Sequence, residues 1–381
     1  MIRLFFVVMA AVFLIACNKT SDKTNSRNDY ALEIVDSIRV DYLGDFYLFD
    51  YSPKRNTYLA KGHGDLEFLF LDTIGNVVDS VVFKKDGPDA ITWAQAAGFV
   101  DGRLALLERV KGLLVVGEEG EVVDRTKIPG EYYYLNGFGG KPYFKLGDEL
   151  VYYRPERGEI NYEDFGGMMR AIYQRPILEV QDPNTGEIRN TMPFPATSQF
   201  RDGKYYGWMY PTVKRKGKVW VLYFSREYQF YIYEEKNGEL NLRQTVKMKV
   251  PDGVKFQGVP FDKADQFEEV NRSIRSGGIS ELLFCGGKIL AVYSKGMGEE
   301  ETSLFDFETL EGKMEAYWAD DKFVQVFDMN GQVLADIPCP KGMILGDVVN
   351  GQGQWVTTKG QEYFGQEEDW QTLYLIELVE E

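Results

Sequence analysis

Residues 66–83, LEFLFLDTIGNVVDSVVF, place two runs of aromatic and aliphatic side chains on either side of Gly75. Runs of that composition around a short glycine-containing connection read as a β-hairpin. Glycine suits the turn because it adopts positive φ without a Cβ penalty. The pattern returns at 113–128, 177–191, 230–250 and 323–337, with turn glycines Gly120, Gly186, Gly238 and Gly331. A recurring hairpin separated by insertions of uneven length predicts a repeat fold, here an all-β propeller.

A propeller blade is four antiparallel strands, a to d from the axis outward. If the hairpins are strands c and d, an a–b hairpin should precede each. Such pairs are found at 46–51 with 57–61, 93–100 with 104–109, 142–146 with 150–154, 206–213 with 219–224, and 280–285 with 289–293. A sixth blade takes 345–350, 355–358 and 371–379, and lacks its outermost strand. Residues 31–40, ALEIVDSIRV, resemble the d strands: Val35-Asp36-Ser37-Ile38 matches Val78-Asp79-Ser80-Val81. This segment is predicted to pair with the C-terminal strand and close the ring, which removes exposed edges. Six blades is the expectation and seven the alternative, since the interval between Gly238 and Gly331 is long enough to hide one more. The one predicted helix is 261–274, where Phe261, Ala264, Phe267, Val270 and Ile274 recur at helical steps, with Asp262 as cap and Gly277 as stop.

The connections are uneven. All a–b and c–d turns are short, and every long segment is a b–c connection or a crossing between blades. Antiparallel alternation puts the long segments on one face. Loops on a rigid scaffold are where binding residues concentrate, so the channel rim on the long-loop face is the expected site. Its candidate ligand-binding residues are Tyr133, Tyr162, Phe165, Arg170, Tyr317, Trp318, Tyr363 and Trp370, because Tyr and Trp offer rigid contact area with a polar handle. Residues 297–321 are the most acidic and aromatic insertion. Asp50, Gln95, Asn136, Glu281 and Asp347 are candidates to line the channel.

The N-terminus alters the picture. A basic start at Arg3 precedes an apolar run, residues 4–16, too short to span a bilayer as a helix and matching a secretory leader. It ends Leu14-Ile15-Ala16-Cys17, which resembles the bacterial lipobox. The expected organisation is a leader at 1–16, a polar tether at 17–30 and one propeller at 31–381. The resemblance implies lipidation of Cys17. The net charge of −16 argues against nucleic acid as a partner and against a polybasic grip on anionic lipid. Membrane contact is therefore expected through the N-terminal lipid alone, and the protein is expected to be a monomer. Cys285 and Cys339 should lie three strand spacings apart in one blade, beyond disulfide reach, and are predicted to be free, buried thiols.

Catalytic constellations are scarce. His63 is the only histidine, so Ser-His-Asp catalysis and histidine-ligated zinc have no basis. His63 lies in the b–c turn of the first blade and reads as a solvated turn residue. No nucleophile elbow, Walker A loop or dinucleotide fingerprint is present. Carboxylates are plentiful, which leaves a paired-acid or calcium site open. The run Glu299-Glu300-Glu301 lacks calcium-loop spacing and reads as a solvated loop.

The lipobox, the hairpins and the closing N-terminal strand together resemble Bacteroidetes-type exported lipoproteins with TolB-like six-bladed propellers, many classed as domains of unknown function. The resemblance implies a cell-envelope location and a binding or scaffolding role, with an envelope protein, peptide or glycan as partner. It brings no catalytic residues. Asn18, in place of the inner-membrane retention aspartate, points to the outer membrane. No cofactor is expected beyond a calcium ion. The leading reading is a non-enzymatic binding module acting through the long-loop face; the alternative is a calcium-dependent hydrolase or lactonase with carboxylates at the channel mouth.

Overall fold

The computed structural model describes residues 30–64, 66–87, 90–135 and 140–380. Six four-stranded antiparallel sheets form a β-propeller. Blade one is Tyr47–Ser52, Thr57–Lys61, Glu67–Leu71 and Val77–Val82. Blades two to five begin with innermost strands Ala94–Val100, Phe144–Leu146, Pro211–Lys216 and Arg275–Cys285. Blade six takes Met343–Val349, Trp355–Lys359 and Gln371–Glu380, and its fourth strand is Tyr30–Val40. The closure expected from the sequence is thus present. Tyr30 pairs with Glu380 and Val40 with Gln371, with one irregularity at Ile34/Asp36.

The core explains why the inner strands read as nearly continuous apolar runs. It divides into six clusters, and each fills the seam between two neighbouring blades. Successive side chains of a strand point to opposite faces, and here both faces are buried. Trp220 and Leu222 pack toward blade three, whereas Val221 and Tyr223 pack toward blade five. Full burial of such a side chain is worth roughly 1.5–3 kcal/mol. The closing strand seals the last two seams: Tyr30 joins the cluster between blades five and six, and Ile38 and Val40 join the one between blades six and one. Cys285 and Cys339 are both free and buried.

The predicted helix at 261–274 is shorter and broken. A 3-10 turn, Phe261–Gln266, kinks into one α-turn, Phe267–Val270, and Pro260 stands at the cap position without a side-chain bond. Arg275 already begins a strand that contains Gly277. Phe261 and Phe267 are buried, Ala264 and Ile274 are half-buried and Val270 is exposed, so the apolar spacing located two anchors and overstated helix length. Three helices fell within segments expected to be irregular: Phe165–Ile172, Glu299–Thr302 and Leu310–Ala319. An additional two-stranded ribbon joins Tyr132–Leu135 to Pro155–Arg157. No helix among the described residues is long and apolar enough to cross a membrane.

Gly75 shows how the closing strand is fitted. It has φ of 93°, and a Cβ there would collide with the Arg39 carbonyl oxygen and the Ile38 side chain. Gly186 occupies the equivalent turn of blade three with φ of 75° and nothing within 4 Å. Gly186→Ala should therefore cost only backbone strain, about 1 kcal/mol. Gly75→Ala should cost at least twice as much, read from urea unfolding midpoints, because it also pushes the closing strand away.

Candidate functional site

A cavity of about 300 Å³ lies on the propeller axis. Its lining includes Asp50, Phe144, Lys214, Leu283 and Asp347, each the third residue from the end of its innermost strand. The cavity therefore occupies the part of the channel near the short a–b turns, not the long-loop rim expected from the sequence. Blade two places Gly98 at the same strand position. A Cβ on Gly98 would lie 3.1 Å from Asp50 Oδ2 and 3.4 Å from Lys141 Cα. The glycine leaves room for that charged pair.

The charges in the channel are paired across it. Lys141 Nζ donates to Asp50 Oδ2 at 2.7 Å and to the Phe99 carbonyl at 3.0 Å. Phe99 N–H donates to the same carboxylate oxygen at 2.7 Å. Asp50 belongs to blade one and Lys141 lies just before blade three, so this bridge skips a blade. Lys214 of blade four pairs with Asp347 of blade six, skipping blade five. Above them, Tyr223 Oη lies 3.5 Å from Glu281 Oε2. Burial lowers the Lys214 pKa; the Glu281 and Asp50 carboxylates push it back up, and Lys141 pushes it further down. Burial raises the Glu281 pKa, opposed by Lys214 and the Tyr223 hydroxyl. Among the described residues, no three His, Cys, Asp or Glu side chains gather so as to hold a metal ion.

The remaining channel candidates are placed differently. Gln95 is buried and is not among the residues lining the cavity. Asn136 lies outside the described residues, as does Cys17. Lys141 and Lys214 are functional residues beyond the acidic and amide side chains that the sequence pattern marks on the innermost strands. Lys214 had a usable signal: it holds the same strand position as Asp50 and Asp347. Lys141 had none, since it lies outside any strand and reaches the axis only through the fold. His63 is exposed, and its backbone N–H donates to Tyr42 Oη at 3.1 Å.

On the long-loop face the candidate aromatics divide into groups. Trp318 stands between Tyr317 and Tyr363, with ring centroids 4.8 and 5.4 Å away. The helix Leu310–Ala319 carries the first two and is capped by Thr309, whose hydroxyl accepts from Gly312 N–H at 3.1 Å. Trp318 Nε1 is buried and has no hydrogen-bond partner among the described residues. Trp370 is apart from this group, under the Arg39 guanidinium at 3.9 Å. Phe165 packs edge-on against Tyr205 and Trp208. Tyr133 Oη reaches Met168 Sδ at 3.5 Å, and Arg170 lies over Phe261. Tyr162 is 79% exposed. Two grooves open in the blade-five insertion. One of about 310 Å³ touches Arg275, Met297, Phe307 and Tyr317; the other, about 370 Å³, touches Met297, Leu304, Phe305 and Phe323.

Three variants probe the channel chemistry. Asp50→Ala strands the Phe99 N–H and should cost about 1–3 kcal/mol. Lys141→Ala should cost less than about 1 kcal/mol, because the lysine is 40% exposed and screened; paired denaturant titrations measure both. The raised Glu281 pKa means that its favourable contribution is complete below the ordinary glutamate range, near pH 4, and is lost as pH rises through the raised value. Glu281→Gln should therefore match wild type in acid and become relatively more stable toward neutral pH, followed by melting temperature across that interval.

No protein-family model and no curated protein matches the chain. Solved structures do. A member of the DUF4221 family from Bacteroides vulgatus is similar at a TM-score of 0.64 and 11% identity, over 93% of this chain and 100% of that one. A Bacteroides fragilis protein designated as exported is similar at 0.55 and 11% identity, over 94% and 97% of the two chains. At such identities the likeness is one of fold: the chain shares its six-bladed propeller architecture with these Bacteroides proteins.

Proposed function

We propose that the protein is an exported, lipid-anchored propeller of the TolB-like type, held at the outer membrane through Cys17, that binds a peptide segment of an envelope partner on its long-loop face. The observation that carries the binding site is the blade-five insertion. It presents two adjoining grooves that share Met297 and Asp320 and are lined by apolar and charged side chains, and Leu304 and Leu310 of the same insertion are 77% and 76% exposed. Clefts that combine apolar lining with a few placed polar groups are the usual form of a recognition site.

The same face favours a peptide over a glycan. Sugar binding needs open aromatic faces, and several here are covered. Arg39 lies over Trp370, Arg275 lies 3.7 Å over Phe307, and Tyr317 and Tyr363 flank Trp318. Exposed leucines and mixed charge suit a peptide better. The hydrolase or lactonase reading gains no such support. Calcium takes six to eight oxygen ligands, whereas Asp50 and Asp347 already carry lysine ammonium groups. The donor set does not fit a calcium ion.

The test uses a photo-crosslinking amino acid placed at Leu310 or at Ile74, a site 74% exposed in a short c–d turn. In intact envelopes, Leu310 should give a discrete adduct and Ile74 none. Leu304→Glu, applied together with the Leu310 probe, should reduce that adduct at least tenfold without lowering the melting temperature. Equal crosslinking from both positions, or retention on a glycan array instead, would count against the proposal.

A further inference from the structure

The axial cavity is a second recess, separate from the grooves of the long-loop face, and the binding role proposed above leaves it unused. Its walls are largely apolar, with Phe49, Phe144 and Phe284 among them. Its polar groups are oppositely charged pairs that cross the open channel. Lys214 and Asp347 are each about one-fifth exposed, and Lys141 is 40% exposed. Solvent therefore reaches the ends of both bridges, and a small molecule could approach them.

Charge balance restricts what fits. Asp50 with Lys141 and Asp347 with Lys214 are neutral as pairs, and Glu281, which does not line the cavity, lies beside the Tyr223 hydroxyl with burial favouring its neutral form. Arg215 also lines the cavity, but its guanidinium is held by Glu235 at 3.1 Å and by the Lys145 carbonyl. A guest with net charge would leave one unmatched charge in a partly desolvated channel, which is costly. A zwitterion avoids this. Its carboxylate replaces Asp347 on Lys214 while its ammonium takes the Asp347 carboxylate, so every charge keeps an opposite neighbour. Its apolar body then lies against the phenylalanine wall.

We infer that the axial cavity binds a small zwitterion with an apolar body, of free amino acid to dipeptide size, by inserting it into the Lys214–Asp347 bridge. The site lies near the a–b turns and needs neither a metal nor the long-loop face.

The experiment compares three probes that share one apolar body. L-phenylalanine is the zwitterion, 3-phenylpropionate the anion and phenethylamine the cation; leucyl-phenylalanine tests the upper size. Each is titrated into the full mature protein by calorimetry. Saturable binding is expected for phenylalanine or the dipeptide, at least tenfold tighter than for either singly charged analogue. Lys214→Gln and Asp347→Asn should each abolish it. Because those changes disturb the bridge itself, Val349→Phe serves as a second variant, filling the cavity without altering a charge, and should also abolish binding while the melting temperature holds. Absence of binding by both zwitterions, equal binding of the anion, or undiminished binding by Val349→Phe would overturn the inference. Crosslinking from Leu310 is unaffected by any of these outcomes, so failure here is distinguishable from failure of the long-loop site.

Discussion

Ten residue pairs between Tyr30–Val40 and Gln371–Glu380 join the two ends of the propeller. Every blade rests on two neighbours; blades six and one also meet directly through Val348, Val356, Tyr58 and Leu69, and this pairing completes the sixth blade with its fourth strand. Without the first strand, Gln371–Glu380 would be an unpaired edge of the kind that invites association with other chains. The seams on either side would lose Tyr30, Ile38 and Val40 from their cores. The contact also has high sequence separation, so its loop-closure entropy must be met before it returns any stability. The fold therefore depends on an interaction between its most distant described segments.

The closed ring then determines what the centre can be. Six innermost strands bring the same strand position to the axis from six directions. At four of these the residue is Asp50, Lys214, Asp347 or the small Gly98. Charges brought this close in a partly desolvated channel must be balanced, because an unpaired buried charge costs far more than a paired one. The balance is achieved by bridges that skip a blade. These bridges occupy the carboxylates that a metal-dependent enzyme would require, and they leave behind a neutral, mostly apolar recess.

The two ends of the wheel thus differ in character. One has short turns and a cavity with internally matched charge. The other carries the helices and the grooves of the blade-five insertion, where leucines stand in solvent and an indole N–H lacks a partner. The rigid seams matter to both, since recognition surfaces gain precision when their support does not move. A loop as long as the blade-five insertion keeps its shape because its helix is capped by Thr309 and its tryptophan is wedged between two tyrosines.

The strand pattern was legible in the sequence because a blade buries both sheet faces and ends each hairpin in glycine or asparagine turns. Those are local signals, and they disclose the six repeats, the closing strand and the two free thiols. They also disclosed Asp50 and Asp347 as axial residues, since strand assignment alone places them there. The helix at 261–274 was overread, because apolar spacing reports a buried side and cannot say where backbone bonding stops. The helices at 165–172 and 310–319 were not read, since their insertions have no periodicity strong enough to stand out from loop composition. Only the tertiary structure could pair Lys141 with Asp50 and Lys214 with Asp347. Each partner is dictated by which blades face one another across the axis, and that relation exists nowhere along the chain until the ring has closed.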